Sequence, residues 1–385
     1  MTPILFLGDS PDLRTGLARI GRDLACLTSS LPEFRVGFMG RGGFGSRQLP
    51  FIQYNFSEQH QWGEELIEKV WEDFAGAEKG VIFSIWDASR LNWFGAPRQE
   101  ALPSNLYRFL TSGRFSRWGY FPADSHGPNG KLSYLGNEAL RGYDRKLAYT
   151  QFGAKILESD FIPHGINTNI FTPRGKDAGK LALGFSANNI VIGCCMTNQV
   201  RKDWGLAFAT MSELHKQNHA IRFWAHVDIL QRSHAWNMMA LVADYNAYDW
   251  IRVISNTPYS DTEMSYFYSA CDLTILPTLG EGFGFPVVES LSCGVPVVTG
   301  SFGGQAELIP NKDWLVGAND WRIEGLGNSL RPIYDPAAFV EVIQEVLEEK
   351  PEQEYCRTSV EYLDWKNLWH PWKKWLLEGL DELHR

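Results

Sequence analysis

The chain has 385 residues, 44% of them hydrophobic and 14% aromatic, with 36 basic against 45 acidic side chains for a net charge of −9. That length favours two domains, and the apolar content excludes a low-complexity or disordered chain. The acidic balance argues against general nucleic-acid affinity, which rests on neutralising phosphates with Lys and Arg, although a local basic patch stays open.

No apolar run approaches the roughly 18 residues needed to span a bilayer, and the N-terminus lacks a basic flank and cleavage site. The expectation is a cytoplasmic protein without a transmembrane segment. Cys26, Cys194, Cys195, Cys271, Cys293 and Cys356 form no Cys-x-x-Cys pair. They read as small core residues of a reducing compartment.

Taken in chain order, short apolar runs alternate with amphipathic ones, which predicts parallel sheets with right-handed crossovers. In the first half, strands are predicted at Ile4–Leu7, Arg35–Met39, Val81–Ile85, Trp118–Phe121 and Lys146–Tyr149, with helices at Leu17–Leu27, Glu64–Phe74 and Gly153–Leu157. Residues Pro173 to Lys180 are polar and rich in breakers, and read as a linker. In the second half, strands follow at Ile190–Met196, Ile221–Ala225, Ile251–Ile254, Leu273–Leu276 and Val295–Thr299, with a helix at Trp204–Leu214. Trp365, Trp369, Trp372 and Trp375 then recur at helical spacing near the end of the chain. That pattern fits an amphipathic helix burying its indoles against the protein. An interfacial helix in peripheral membrane contact is the alternative, weakened by Glu378, Asp381 and Glu382 nearby.

The chemistry concentrates at Gly280-Glu281-Gly282-Phe283-Gly284-Phe285-Pro286-Val287-Val288-Glu289. Pro286 suits the first turn of a helix and Gly294 its C-terminal stop. Glu281 therefore belongs to the loop leaving a strand, and Glu289 to the helix that follows. Both fall at the carboxyl edge of a parallel sheet, where open α/β sheets bind ligands and backbone N–H groups face anions. Carboxylates that accept hydroxyl hydrogen bonds beside an anion cradle suit a nucleotide-sugar diphosphate. Gly282, Phe283, Gly284 and the Phe285 backbone would let the chain approach that diphosphate closely. Arg201 and Lys202 stand at the same edge and would neutralise a leaving diphosphate. The sequence holds no Asp-x-Asp, so no metal and no cofactor is expected, and the basic pair would take the metal's part.

This pattern resembles retaining glycosyltransferases of family four, whose signature is Glu, seven residues, Glu, with Gly-Phe-Gly-(Leu/Phe)-Pro between. Ile162 to Pro173, Thr197 to Asp203 and Ser269 to Leu273 are similar to other segments of that family. The resemblance implies a GT-B fold: α/β, two Rossmann-like domains facing across a cleft, with a C-terminal helix returning to the first. The expected boundaries are 1–175 for the acceptor domain, 176–360 for the donor domain and 361–385 for the last helix.

It also implies that Glu281 binds the donor sugar and Glu289 the two ribose hydroxyls, with retention of the anomeric configuration and the departing diphosphate as base. Asn198 stands where the family usually carries its first basic residue, so its donor-binding role departs from the pattern. Thr15-Gly16-Leu17 resembles the glycine loop facing the donor phosphates, which makes Gly16 a donor-binding candidate. Phe121 to His126 resembles a segment under the acceptor, where Asp124 or His126 would orient the acceptor hydroxyl.

The implied activity is transfer of a hexosyl or pentosyl group from a nucleoside diphosphate to a glycan, lipid-linked or small-molecule acceptor. Alternatives are a viral-type transferase acting on modified DNA bases, a non-catalytic nucleotide-sugar binding protein, and, at fold level, a nicotinamide-dependent dehydrogenase. Gly40-Arg41-Gly42-Gly43-Phe44-Gly45 satisfies G-x-G-x-x-G, yet no helix is predicted after it, so the dinucleotide context fails.

Overall fold

A computed structural model describes residues 1–227, 235–254, 259–325 and 327–385. Two compact units emerge. The first comprises Met1–His164, Gly325–Ser329 and Leu368–Arg385, and the second comprises Gly165–Glu324 and Leu330–Asn367.

The first unit is built on a parallel sheet of β1 (Thr2–Asp9), β2 (Phe34–Arg41), β3 (Ile52–Phe56), β4 (Gly80–Ile85), β5 (Phe115–Phe121), β6 (Arg145–Ala148) and β7 (Asp160–Phe161), in the order β3-β2-β1-β4-β5-β6-β7. Ile4, Leu5, Phe6 and Leu7 of β1 are all fully buried. A continuous apolar run, in place of alternation, is what a strand covered on both faces requires. The helix Gly16–Thr28 follows β1; Thr15 caps it by accepting the Ala18 N–H at 3.2 Å, and Ala18, Ile20, Leu24 and Ala25 face the sheet.

Strand β3 is absent from the predicted elements. Its residues are half-exposed, and Gln53 and Asn55 interrupt the apolar pattern that marks its neighbours. The chain reverses from β3 to β4, which pairs on the other side of β1, so the topological switch point of this sheet lies between β1 and β4.

The last helix, Trp365–Leu383, is buried on one face along its length. Within the first unit, the Trp375 ring lies 5.3 Å from Trp118 and 5.7 Å from Phe83, with the Arg145 guanidinium 4.4 Å from it. Trp372 is fully buried and donates from Nε1 to the Pro163 carbonyl at 3.0 Å. The C-terminal segment thus returns to the first unit through its indoles.

The second unit carries β8 (Ile190–Cys195), β9 (Ile221–His226), β10 (Ile251–Ile254), β11 (Leu273–Leu276), β12 (Val297–Gly300) and β13 (Leu315–Val316), in the order β10-β9-β8-β11-β12-β13. All pairs are parallel, and Leu273 stands opposite Ile192 across the β8–β11 switch point. A separate two-stranded ribbon joins β14 (Asp320–Glu324) to β15 (Ser329–Ile333).

The polar stretch Pro173 to Lys180 lies inside the second unit, and its second half begins the helix Lys176–Ala182. Lys180 is buried there; its Nζ lies 2.6 Å from Asp272 and donates to the Asn189 carbonyl at 2.7 Å. A lysine buried with a carboxylate is a packing element, which composition alone cannot distinguish from a solvated one. Among the described residues, no helix is long and apolar enough to cross a membrane.

Candidate active site

Two loops leave the carboxyl ends of β8 and β11 at the second unit's switch point, the place where such sheets bind ligands. The first contains a single 3₁₀ turn, Val200–Lys202, and leads into the helix Trp204–Gln217, capped by Asp203 accepting the Leu206 N–H at 3.0 Å. The second runs from Pro277 to Gly284 and opens the helix Phe285–Ser292, with Pro286 in its first turn.

Backbone hydrogen bonds join the loops: the Arg201 carbonyl accepts from the Leu279 N–H at 2.8 Å and from Thr278 Oγ1 at 3.2 Å. Gly284 makes the helix entry sharp. Its φ of +105° is in the region that side chains disfavour, and a Cβ there would stand 2.7 Å from Cβ of Gln305.

Glu281 is buried between two cations. Its Oε1 pairs with the Lys202 ammonium, and its Oε2 lies 3.1 Å from the Arg201 guanidinium, which also donates to the Gly280 carbonyl at 2.9 Å. Lys202 is itself buried. Burial alone would raise the carboxyl pKa, but the charges of Lys202 and Arg201 overcome it and hold Glu281 at about 2. Gln305 fixes the backbone beneath: its side-chain oxygen accepts the Glu281 N–H at 3.0 Å. Two cations thus converge on the single carboxylate of Glu281, while Asp203 is engaged in the helix cap; guanidinium and ammonium donors at this edge suit a polyanionic ligand.

Glu289, on the helix Phe285–Ser292, is buried and accepts a 2.6 Å hydrogen bond from the Tyr268 hydroxyl. Burial first, and then the Glu289 charge, push that phenol far above its ordinary pKa, so it remains a donor. Phe283 is buried, with its ring 5.6 Å from that of Phe285.

Asn198 is fully buried, and its carboxamide makes two 2.9 Å hydrogen bonds to the backbone of Trp236. It therefore pins a neighbouring segment at this edge. Thr278, Gln305 and Tyr268 also order the site, and none of them is among the residues predicted from the sequence. Tyr268 directly precedes the Ser269 to Leu273 segment and Thr278 lies two residues before the Gly280 motif, but neither residue type marks a site by itself.

The second unit thus brings together Arg201, Lys202, Glu281, Gly282, Phe283, Gly284, Phe285 and Glu289. Apart from Asn198, the remaining candidates belong to the first unit. Gly16 is exposed at the start of its helix. Asp124 follows β5 and accepts from Ser125 Oγ at 3.4 Å, while His126 Nδ1 lies 2.8 Å from the Gly127 carbonyl. Among the described residues, no group of three or more His, Cys, Asp or Glu side chains is arranged to hold a metal ion.

Solved structures superpose over nearly the whole chain. Sucrose-phosphate synthase from Thermosynechococcus elongatus matches at a TM-score of 0.75 with 15% identity, covering 99% of this chain and all of that one. HepE from Anabaena, in complex with UDP and glucose, matches at 0.72 with 16% identity, covering 98% and 100%. The chain has the GT-B fold.

Residues 237–361, which include both carboxylates of the site, match the family model of glycosyl transferases group 1. Among curated proteins, the Escherichia coli O-antigen chain mannosyltransferase B is 35% identical over 71 residues, 18% of each protein. The D-inositol 3-phosphate glycosyltransferase of Acidothermus cellulolyticus is 25% identical over 215 residues, 54% of this chain and 45% of that protein. The chain spans less than half the length of these curated relatives.

Proposed function

We propose that this GT-B protein is a retaining glycosyltransferase that moves a sugar from a nucleoside diphosphate to an acceptor hydroxyl. The observation that carries this reading is the Lys202–Glu281–Arg201 group at the switch point, whose carboxylate lies inside the segment that matches glycosyl transferases group 1. The complex of Anabaena HepE with UDP-glucose supports a uridine donor as the first to test.

Arg201 and Lys202 meet the diphosphate, whose charge grows as the glycosidic bond breaks. Glu281 stays ionised and accepts hydrogen bonds from the sugar, and Glu289 accepts the ribose hydroxyls, with Tyr268 holding it in place. The cation pair stands in for a divalent metal, and the departing diphosphate takes the acceptor proton. Catalysis then comes from positioning and charge stabilisation. In the first unit, Asp124 or His126 is the candidate to orient the acceptor hydroxyl, and Gly16 remains a donor-binding candidate.

Incubation with α-configured nucleotide sugars, followed by proton NMR of the anomeric region, tests this. An α-anomer as the first sugar released or transferred is expected. A β-anomer would overturn retention, and an unchanged donor across the panel would overturn transfer.

A further inference from the structure

The carboxyl edge of the first unit's sheet contains a second cluster of charged side chains, Arg41, Arg90, Asp9 and Asp87, that the donor chemistry does not use. Asp9 ends β1 and stands opposite Arg41 at the end of β2. Across the β1–β4 switch point, Ile85 pairs with Gly8, so Trp86 and Asp87 emerge beside Asp9. The Trp86 Nε1 donates to Asp9 at 2.8 Å, and Thr15 Oγ1 donates to its other oxygen at 3.0 Å. This carboxylate is therefore fixed in orientation at the crevice where open sheets take their ligands.

Beside it, two guanidiniums share one indole. Arg41 and Arg90 each lie 4.9 Å from the centroid of the half-buried Trp62 ring. Arg90 has a carboxylate partner, Asp87, at 2.8 Å. Arg41 has none among the described residues, and its Nε is sealed from solvent without a hydrogen-bond acceptor. The carboxylates at this edge are engaged, Asp9 by Trp86 and Thr15 and Asp87 by Arg90, so the shielded Arg41 donor and its like-charged neighbour favour a further acceptor oxygen. Arginine's planar fork matches phosphate and carboxylate oxygens.

The loop after β2 is also braced. Asp12 accepts the backbone N–H groups of Phe44, Gly45, Ser46 and Arg47 at 2.6–3.1 Å. Gly43 lies against Ser10, where a Cβ would fall 1.8 Å from Oγ. The glycines that mimic a dinucleotide fingerprint thus let the loop fold down beside Arg41. A second unspent donor lies at the same edge: the Tyr149 hydroxyl, just past β6, is buried without a hydrogen-bond partner.

We propose that this edge is an acceptor subsite for a molecule bearing an oxyanion, phosphate or carboxylate, gripped by Arg41 and Arg90 over Trp62, with Asp9 accepting from its hydroxyls. Naming the anion's carrier as the acceptor rests on the transferase reading above; the anion site itself does not.

Isothermal titration of inorganic phosphate, and separately malonate, into the full chain and its variants tests the proposal. Wild type is expected to bind at least one of them at a site that Lys202→Gln retains and Arg41→Gln weakens at least about tenfold, the loss expected for a charge-assisted contact. Arg90→Gln, on a side chain more than one-third exposed, should weaken the same site and replaces Arg41→Gln if that variant misfolds. Phosphate binding above malonate assigns a phosphorylated acceptor, and the reverse a carboxylated one. Binding undiminished in Arg41→Gln, binding lost only in Lys202→Gln, or no binding of either anion overturns the proposal. Failure of the transferase reading shows separately, as absent nucleoside-diphosphate binding while phosphate still binds at Arg41.

Discussion

Replacing Glu281 by glutamine removes the carboxylate that holds the buried Lys202 and the half-buried Arg201, and the cost can be worked from its titration. The folded-state carboxyl sits at about 2 against an ordinary value of 4.5. At roughly 1.4 kcal/mol per unit this corresponds to about 3 kcal/mol of native-state stabilisation at neutral pH. Breaking one partner of a buried ion pair falls in the same range, about 3–5 kcal/mol. For a unit of this size, each kcal/mol moves the thermal midpoint by roughly 2–4 °C, so a fall of about 6–12 °C is expected for Glu281→Gln at pH 7.

The folded pKa is depressed, so the contribution is complete above about 4.5 and disappears as the pH falls through about 2. Urea unfolding of wild type and variant at pH 7, 4 and 3 should therefore show a gap of about 3 kcal/mol that narrows as the pH falls. Lys202→Met in the Glu281→Gln background should restore part of the loss, because it removes the stranded cation. A variant as stable as wild type at pH 7, or a gap independent of pH, would refute this account of the site's electrostatics.

Three further predictions follow from the same geometry. Gly284→Ala places a side chain at φ +105° and against Gln305, so it should cost about 1–3 kcal/mol or more in chemical denaturation and abolish nucleotide binding. Tyr268→Phe removes the 2.6 Å donor to Glu289; stability should drop by about 1–3 kcal/mol, and nucleoside diphosphates should bind more weakly in titration calorimetry. Trp375→Ala empties a buried site between Phe83 and Trp118. It should destabilise the first unit by about 3–5 kcal/mol and leave the C-terminal helix open to limited proteolysis.

Much of this was legible in the residues because both sheets are parallel and doubly covered. Runs such as Ile4 to Leu7 and Leu273 to Leu276 are buried on both faces and almost wholly apolar, and their ends locate the ligand edge. Pro286 and Gly284 then mark where the helix behind Glu281 begins. The half-exposed β3 lacks such a signature. Lys180 looks like a linker residue because sequence cannot show that Asp272 receives it.

The pairing of Glu281 with Lys202 and Arg201 was also illegible. The two segments lie far apart in sequence, and each was legible only as a separate ligand contact. Asn198 reads as a donor contact by position, yet its burial and its bonds to Trp236 are tertiary facts.

The account's central claim is that the edge formed by Arg201, Lys202 and Glu281 receives a nucleoside diphosphate. Thermal unfolding with UDP, GDP, ADP, CMP and dTDP, each with and without magnesium, tests it most directly. Binding to the native state contributes about 2.7 kcal/mol of stability at a hundredfold excess over Kd. One nucleotide is predicted to raise the midpoint alone, equally with and without magnesium, and to lose that effect in Lys202→Met. No response to any nucleotide, or a response unchanged in Lys202→Met, would contradict the claim.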